Sequence, residues 1–309
     1  MAPIDHVIII GAGWYGLAAT KTYLEPQPSV SLTIIEADSG VGGTWSRSRV
    51  YPRLVVNQPS PMFEFSDLSM SEAVGLEEWS DITGDHMAEY LEKYSEKFGL
   101  LKYCRFNTKV VRIEREGATW LWKLSVRPTG QETAELEDLK CVKLIMATGH
   151  TSKPKLPENL DMSLYTGKVF HVKEIGQRYH ELLRDGDVQN ITVVGGNKSS
   201  FELAGMFGVE GKKVNWLIKD EGTGPGMIVK DRPNGKDHQM KNFTTRAVSG
   251  IAPTPWKADR WITRFLYSGK YWLCRWFITW FFKAAASKPL EMYNKPNRRL
   301  MKPLSDRYV

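Results

Sequence analysis

The chain has 309 residues, 42% of them hydrophobic and 25% charged, with Gly 26 and Pro 16, a composition that belongs to folded globular proteins and excludes disordered, collagenous and multi-pass membrane classes. The formal net charge of +7 is gathered at one end: residues 250–309 carry 12 Lys and Arg against 3 Asp and Glu, leaving 30 against 32, or −2, in the first 249. A near-neutral body argues against nucleic acid as a partner.

Three cysteines, Cys104, Cys141 and Cys274, show no CxxC spacing, which excludes a disulfide framework and a thiol-redox pair and points to a reducing, cytoplasmic setting. The N-terminal MAPIDHVIII has no basic n-region and no small-residue cleavage site, so it is expected to open the fold rather than to target the chain. His6–Ile10 is a β-branched apolar run suited to a buried parallel strand. Gly11-Ala12-Gly13-Trp14-Tyr15-Gly16 follows, then a helical stretch at 17–24, then a strand at Ser31–Ile35 that ends in Glu36.

This strand–turn–helix–strand–acid order is the context that gives G-x-G-x-x-G a meaning. Gly11 permits the tight turn, Gly13 lets the backbone approach a pyrophosphate, and Gly16 lets helix and strand pack closely. The helix start offers N–H donors to the phosphates. Glu36 would accept from ribose hydroxyls and disfavour a 2′-phosphate, so this site suits FAD or NAD rather than NADP. The blander alternative is a glycine-rich hairpin turn.

Residues 106–126 alternate around Glu116-Gly117 like a β-hairpin. Residues 143–147 read as another buried strand, and the proline-punctuated stretch 153–157 reads as a domain boundary. A second strand–turn–helix–strand then appears: Asn190–Val194, the turn Gly195-Gly196-Asn197-Lys198-Ser199-Ser200, a helix at 201–207 and a strand at 214–218. Only Gly195 keeps its glycine; Asn197 can tolerate positive φ, and Ser200 is small. Lys198, Ser199 and Ser200 can donate to phosphate, and Lys219 stands where the first site has its acid, which suits the 2′-phosphate of NADP. Lys219 can equally be a lysine exposed at a strand end. Two dinucleotide sites on one chain suit electron transfer from nicotinamide to flavin.

In these residues the chain resembles the flavin-containing monooxygenases and their Baeyer–Villiger relatives, notably the fungal biosynthetic members. The matching elements are GAGWYG, Glu36, Gly42-Gly43-Thr44-Trp45, Ala147-Thr148-Gly149, Tyr165-x-Gly167-x-x-x-His171 and the second turn, in family order. The resemblance implies bound FAD reduced by NADPH, a C4a-hydroperoxyflavin formed with O2, and transfer of one oxygen atom to a small organic substrate. It implies that Gly43, Thr44 and Trp45 line the flavin and that Val110 touches the adenine through its backbone. Asn57 would stand near the flavin and nicotinamide as the polar catalytic candidate, the alternative being a turn-forming Asn near Pro59. His171 would position the two domains rather than transfer protons. The pair after it, Ile175-Gly176, fits neither the N- and S-oxygenating nor the Baeyer–Villiger pattern, so the oxygenation type stays open. No histidine spacing suggests a metal site.

The expected fold is α/β: two dinucleotide-binding, Rossmann-like domains with parallel sheets, the second inserted into the first, plus a helical tail. Residues 1–152 would form the FAD-binding domain, 153–250 the NADP-binding domain and 251–309 the basic, tryptophan-rich tail. Family members of this kind run longer and close the flavin domain with a further strand and helix, so a truncated product, an incomplete gene model or a shortened homologue is expected here. The alternative function is a catalytically inactive flavin-fold protein that acts as a binding or scaffold partner. Five of the 11 tryptophans lie within 256–280, with Trp272, Trp276 and Trp280 at a four-residue spacing among Arg264, Lys270, Arg275 and Lys283. This stripe can pack on the core, lie at a membrane surface, or be left exposed by truncation.

Overall fold

The computed structural model describes residues 6–117, 119–149, 153–156 and 165–218, together with Phe265, Trp272, Leu273, Trp276 and Trp280. In chain order these form β1 (His6–Ile10), α1 (Trp14–Leu24), β2 (Ser31–Ile35), β3 (Val55–Pro59), α2 (Met70–Val74), β4 (Asp81–Thr83), α3 (Gly84–Lys97) and β5 (Cys104–Arg105). There follow β6 (Thr108–Arg115), β7 (Trp122–Pro128), β8 (Glu137–Cys141), β9 (Lys143–Met146), α4 (Val172–Arg184), β10 (Asn190–Val194), α5 (Lys198–Val209) and β11 (Lys213–Leu217). The backbone divides into two compact units. One holds the residues up to Leu54, Phe65–Leu76 and Ile82–Tyr179; the other holds Val55–Glu64, Glu77–Asp81 and the chain from His180. This division falls inside α4, whereas the proline-punctuated linker lies at 153–157.

The first unit is built on a parallel sheet in the order β5-β2-β1-β9. β1 is central, and its apolar run follows from that place: Val7, Ile8 and Ile9 are buried because both faces are covered. A three-stranded antiparallel sheet, β6-β7-β8, supplies one cover. Ile8, Ile10 and Ile35 pack with Leu124, Val126 and Cys141 in one cluster, joined by Val110, Ile113, Trp122, Leu139 and Leu144. Each such side chain taken out of water contributes about 1.5–3 kcal/mol. β6 and β7 form the expected hairpin, with a β-bulge between Val110 and Arg112. β9 departs from expectation. It is the terminal strand of the sheet among the described residues and is only half-buried, with Met146 64% exposed.

α3 starts at a capping box in which the Thr83 hydroxyl accepts from the His86 N–H and the His86 ring accepts from the Thr83 N–H. It buries Met87, Tyr90, Leu91 and Tyr94, the helical i, i+3, i+4, i+7 pattern. Phe65 stacks between α3 and the start of α1, its ring 4.2 Å from those of Trp14 and Tyr94. The Tyr90 hydroxyl accepts the Phe65 N–H (2.7 Å) and donates to the Leu68 carbonyl (2.6 Å), so the aromatic layer is satisfied as well as packed. α4 lies on the Ser48–Arg49 backbone at Gly176, where a Cβ would meet the Arg49 carbonyl carbon and the Ser48 carbonyl oxygen at 2.6 Å each. This close approach explains why glycine follows Ile175, which is itself buried.

In the second unit β10 and β11 pair in parallel, Ile191 opposite Val214, and α5 buries Leu203, Met206 and Phe207. Phe265, Trp272, Leu273, Trp276 and Trp280 are helical and exposed, and Trp276 and Trp280 stack at 6.3 Å. The rest of the tail lies outside the described residues. Among the described residues no helix is long and apolar enough to cross a membrane.

Two predictions follow from this packing. Gly176→Ala is expected to cost about 1–3 kcal/mol through overpacking, whereas Gly205→Ala, on α5 with nothing within 4 Å of its Cβ position, should gain about 0.5–1 kcal/mol through helix propensity. Thermal melts of the two variants check the opposite signs. Burial, with the Glu36 carboxylate adding to it, pushes the Cys104 thiol up to about 12, and burial pushes the Cys141 thiol up as well. Both should resist alkylation at neutral pH. Because the folded thiol titrates above the unfolded one, Cys104 stabilises the fold fully below pH 9, and that contribution is lost between pH 9 and about 12. Peptide mapping after iodoacetamide, with and without denaturant, tests the protection.

Candidate functional site

The first glycine turn joins β1 to α1 and is gripped at the Ala12 peptide from both sides. Ala12 is fully buried; its N–H donates to Glu36 Oε2 at 2.6 Å, and its carbonyl accepts from the Gly42 N–H at 3.0 Å. Gly11 takes φ +103, and its N–H donates to the Ile35 carbonyl. Gly16 faces the Gly11 carbonyl so closely that a Cβ would fall 1.8 Å from its oxygen, and the Thr20 hydroxyl donates to the Gly16 carbonyl at 2.7 Å. Gly11 and Gly16 thus do the steric work that the sequence assigns to them, and Gly13 is the N-cap of α1 with no side-chain capping bond.

Glu36 is only 7% exposed. Its second oxygen accepts the Asp38 N–H at 2.9 Å. Each carboxylate oxygen therefore carries one backbone bond and keeps a further lone pair, which leaves acceptor capacity for a ligand hydroxyl. The sequence reading gave Glu36 a ligand role only; the structure adds that it holds the turn.

Gly43, Thr44 and Trp45 form a short 3₁₀ turn laid against the first turn. Gly13 and Gly42 form a bridge, and a Cβ on Gly43 would stand 3.0 Å from the Gly13 Cα. Thr44 is exposed and Trp45 half-buried. The loop is stapled by an ion pair that sequence reasoning missed, Arg49 Nη2 to Asp38 Oδ2 at 2.6 Å, both side chains largely buried. Nothing in the eleven-residue spacing signals it. Val110 lies on β6 opposite Val126, with its side chain in the core. The bulge directly after it interrupts the ladder and releases backbone groups from strand pairing at that point.

The second unit carries the other candidates. Asn57 is half-buried on β3. The strand is anchored at both ends: the Val55 N–H donates to Glu202 Oε1 at 3.2 Å, and buried Ser60 donates from its N–H to the Ser80 carbonyl and accepts the Trp79 N–H on its hydroxyl. In the second turn, Gly195 takes φ +130, its N–H donates to the Leu217 carbonyl at 2.9 Å, and its carbonyl accepts the Trp216 indole N–H at 2.7 Å. Asn197 is extended (φ −93) as N-cap of α5, so the positive φ allowed for it is not used. Ser200 places its hydroxyl beneath Gly195, 2.9 Å from where a Cβ would lie, and fills the space of the fingerprint's third glycine. Ser199 lies in the first turn of α5. Lys198 pairs with Glu202, a helical i, i+4 pair that the sequence could have shown. Lys219 lies outside the described residues.

His171 caps α4: its Nδ1 accepts the Lys173 N–H at 3.2 Å and its own N–H donates to Glu174 Oε1 at 3.0 Å. These bonds fix the start of α4. Among the described residues no three His, Cys, Asp or Glu side chains gather as a metal ligand set.

Residues 4–232 match the family model described as Flavin-binding monooxygenase-like. An "FAD-dependent monooxygenase" of Pyrenophora dematioidea is 32% identical over 96% of this chain and 56% of its own length. A "Baeyer-Villiger monooxygenase" of Streptomyces coelicolor is 29% identical over 64% of this chain and 34% of its own. The chain thus spans about half the length of the curated relatives that it matches over nearly all of its own. Among solved structures, "OTEMO complex with FAD and NADP" superposes with TM-score 0.57 at 22% identity, over 70% of this chain and 39% of that one, a likeness of fold. By the family model and by this fungal relative, the chain belongs to the flavin-binding monooxygenase-like family.

Proposed function

We propose that this chain carries the nucleotide-binding machinery of a cytoplasmic, FAD-dependent, NADPH-reduced monooxygenase that transfers one oxygen atom from O2 to a small organic substrate of secondary metabolism. The observation that carries the reading is the interior carboxylate of Glu36, bonded to the Ala12 N–H of the glycine turn with lone pairs to spare. The residues present fit FAD. The uncapped start of α1 presents N–H groups and positive dipole to a pyrophosphate, and the touching Gly13 and Gly43 leave no side chain in its path. Glu36 would hold the ribose, the backbone at Val110 the adenine, and Gly43, Thr44 and Trp45 the flavin end.

When bound, the flavin supplies hydride acceptance and oxygen activation. The chain's own part is to bind, orient and exclude water. Lys198, Ser199 and Ser200 at the start of α5, with Lys219 beyond β11, would receive NADPH; the phosphate must share Lys198 with Glu202. Asn57, on a strand pinned at Val55 and Ser60, would offer its amide to the flavin–nicotinamide pair.

Reconstituting the purified chain with FAD should give a bound-flavin spectrum and NADPH-driven oxygen uptake. Glu36→Gln, which removes a charged acceptor, should weaken FAD about ten- to a hundredfold in equilibrium dialysis. A wild-type chain that never retains flavin and never oxidises NADPH would overturn the proposal in favour of a scaffold role.

The exposed Trp272, Trp276 and Trp280 favour a further contact of the tail with a membrane surface, since tryptophan with basic neighbours suits the interface. Co-sedimentation with anionic liposomes should be seen at low salt and fall as salt rises; pelleting no greater than without lipid excludes it.

A further inference from the structure

Glu202 is a carboxylate in an unusual position for a surface helix. It stands in the second turn of α5 and its side chain is only 11% exposed, so it needs partners. It has one on each side. The Lys198 ammonium, on the first turn of the same helix, pairs with Oε1, and the same oxygen accepts the Val55 N–H at 3.2 Å across 147 residues of sequence. An ordinary solvated i, i+4 pair would add a few tenths of a kcal/mol to the helix and touch nothing else. This one reaches another segment of the same unit. Val55 opens β3, and Asn57 follows two residues later on the same side of the strand.

We infer that Glu202 is a positioning residue that couples occupancy of the second turn to the strand bearing Asn57. The inference rests on the reading of that turn as a nucleotide site. An anion arriving at the start of α5 draws on the same ammonium that Glu202 holds. As Lys198 turns to it, the charge on Glu202 is less compensated, and its hold on the Val55 N–H tightens. The strand then feels the nucleotide through one carboxylate. Asn57 and Lys198 would touch ligand; Glu202 acts through them.

The test uses the full chain and NADP+, with amide hydrogen exchange of the 55–59 segment as the readout beside NADP+ affinity. Glu202→Ala removes the bonds to Lys198 and to the Val55 N–H and should speed exchange at Val55 about tenfold in the free protein. Glu202→Gln keeps a carbonyl oxygen for Val55, so its exchange should stay within about twofold of wild type. Adding NADP+ should slow exchange across 55–57 in wild type and in neither variant. With FAD and NADPH, Glu202→Gln should shift the NADPH KM and spare kcat, whereas Glu202→Ala should lower kcat as well. A wild-type chain that binds NADP+ while Glu202→Ala shows the wild-type exchange response overturns the coupling alone. A wild-type chain that binds no NADP+ overturns the nucleotide reading and the coupling with it. Should Glu202→Ala fail to fold, Glu202→Gln still decides, because a wild-type exchange response to NADP+ in that variant overturns the inference.

Discussion

The Glu36 carboxylate, turned inward from the end of β2 onto the Ala12 N–H, is the bond on which the first site depends. Ala12 lies in a turn with no strand partner of its own, and a buried amide left unpaired there would cost about 1–3 kcal/mol. Glu36 satisfies it from below, and Gly42 satisfies the Ala12 carbonyl from the neighbouring loop. One residue therefore ties together two glycine-rich segments that are thirty residues apart in sequence. The other Glu36 oxygen holds Asp38, and Asp38 holds Arg49, so the same carboxylate governs both ends of the loop containing Gly43, Thr44 and Trp45. Charge is spent on backbone geometry here before it is available to any ligand.

The second turn meets the same steric demand with different residues. Gly195 keeps the positive φ, but its carbonyl is satisfied by the Trp216 indole rather than by a neighbouring loop. Where the first turn has Gly16 against the Gly11 carbonyl, the second has the Ser200 hydroxyl under Gly195, at a spacing a glycine accepts and an alanine would not. The loss of the fingerprint's later glycines is thus a repacking of the turn and not a loss of it. The electrostatics differ as well: an acid braces the first turn, and a lysine–glutamate pair stands on the helix that follows the second.

Much of this was legible in the sequence because it follows from local rules. The strand runs, the two turns and the hairpin at 106–126 are set by periodicity and glycine placement, and all appear close to the expected bounds. Non-local facts escaped. The Asp38–Arg49 staple and the Val55–Glu202 bond join segments whose spacing carries no pattern. The burial of 143–147 was overestimated because an apolar run cannot tell a central strand from a terminal one; β9 is terminal among the described residues. The positive φ reserved for Asn197 was a property of the residue type, whereas the chain uses it extended as an N-cap.

The pair Ile175-Gly176, which fits neither reaction-type pattern of the family, has a packing explanation. Ile175 is buried, and at Gly176 α4 meets the Ser48–Arg49 backbone closely enough to exclude a Cβ. Arg49 is the residue whose side chain staples the loop of Gly43, Thr44 and Trp45, so the helix presses on the backbone of the staple itself. His171 fixes where that helix begins by capping it. Any side chain at 176 would have to displace the Ser48–Arg49 backbone and loosen the loop that Arg49 secures. The departure therefore reports a constraint from the loop on the helix.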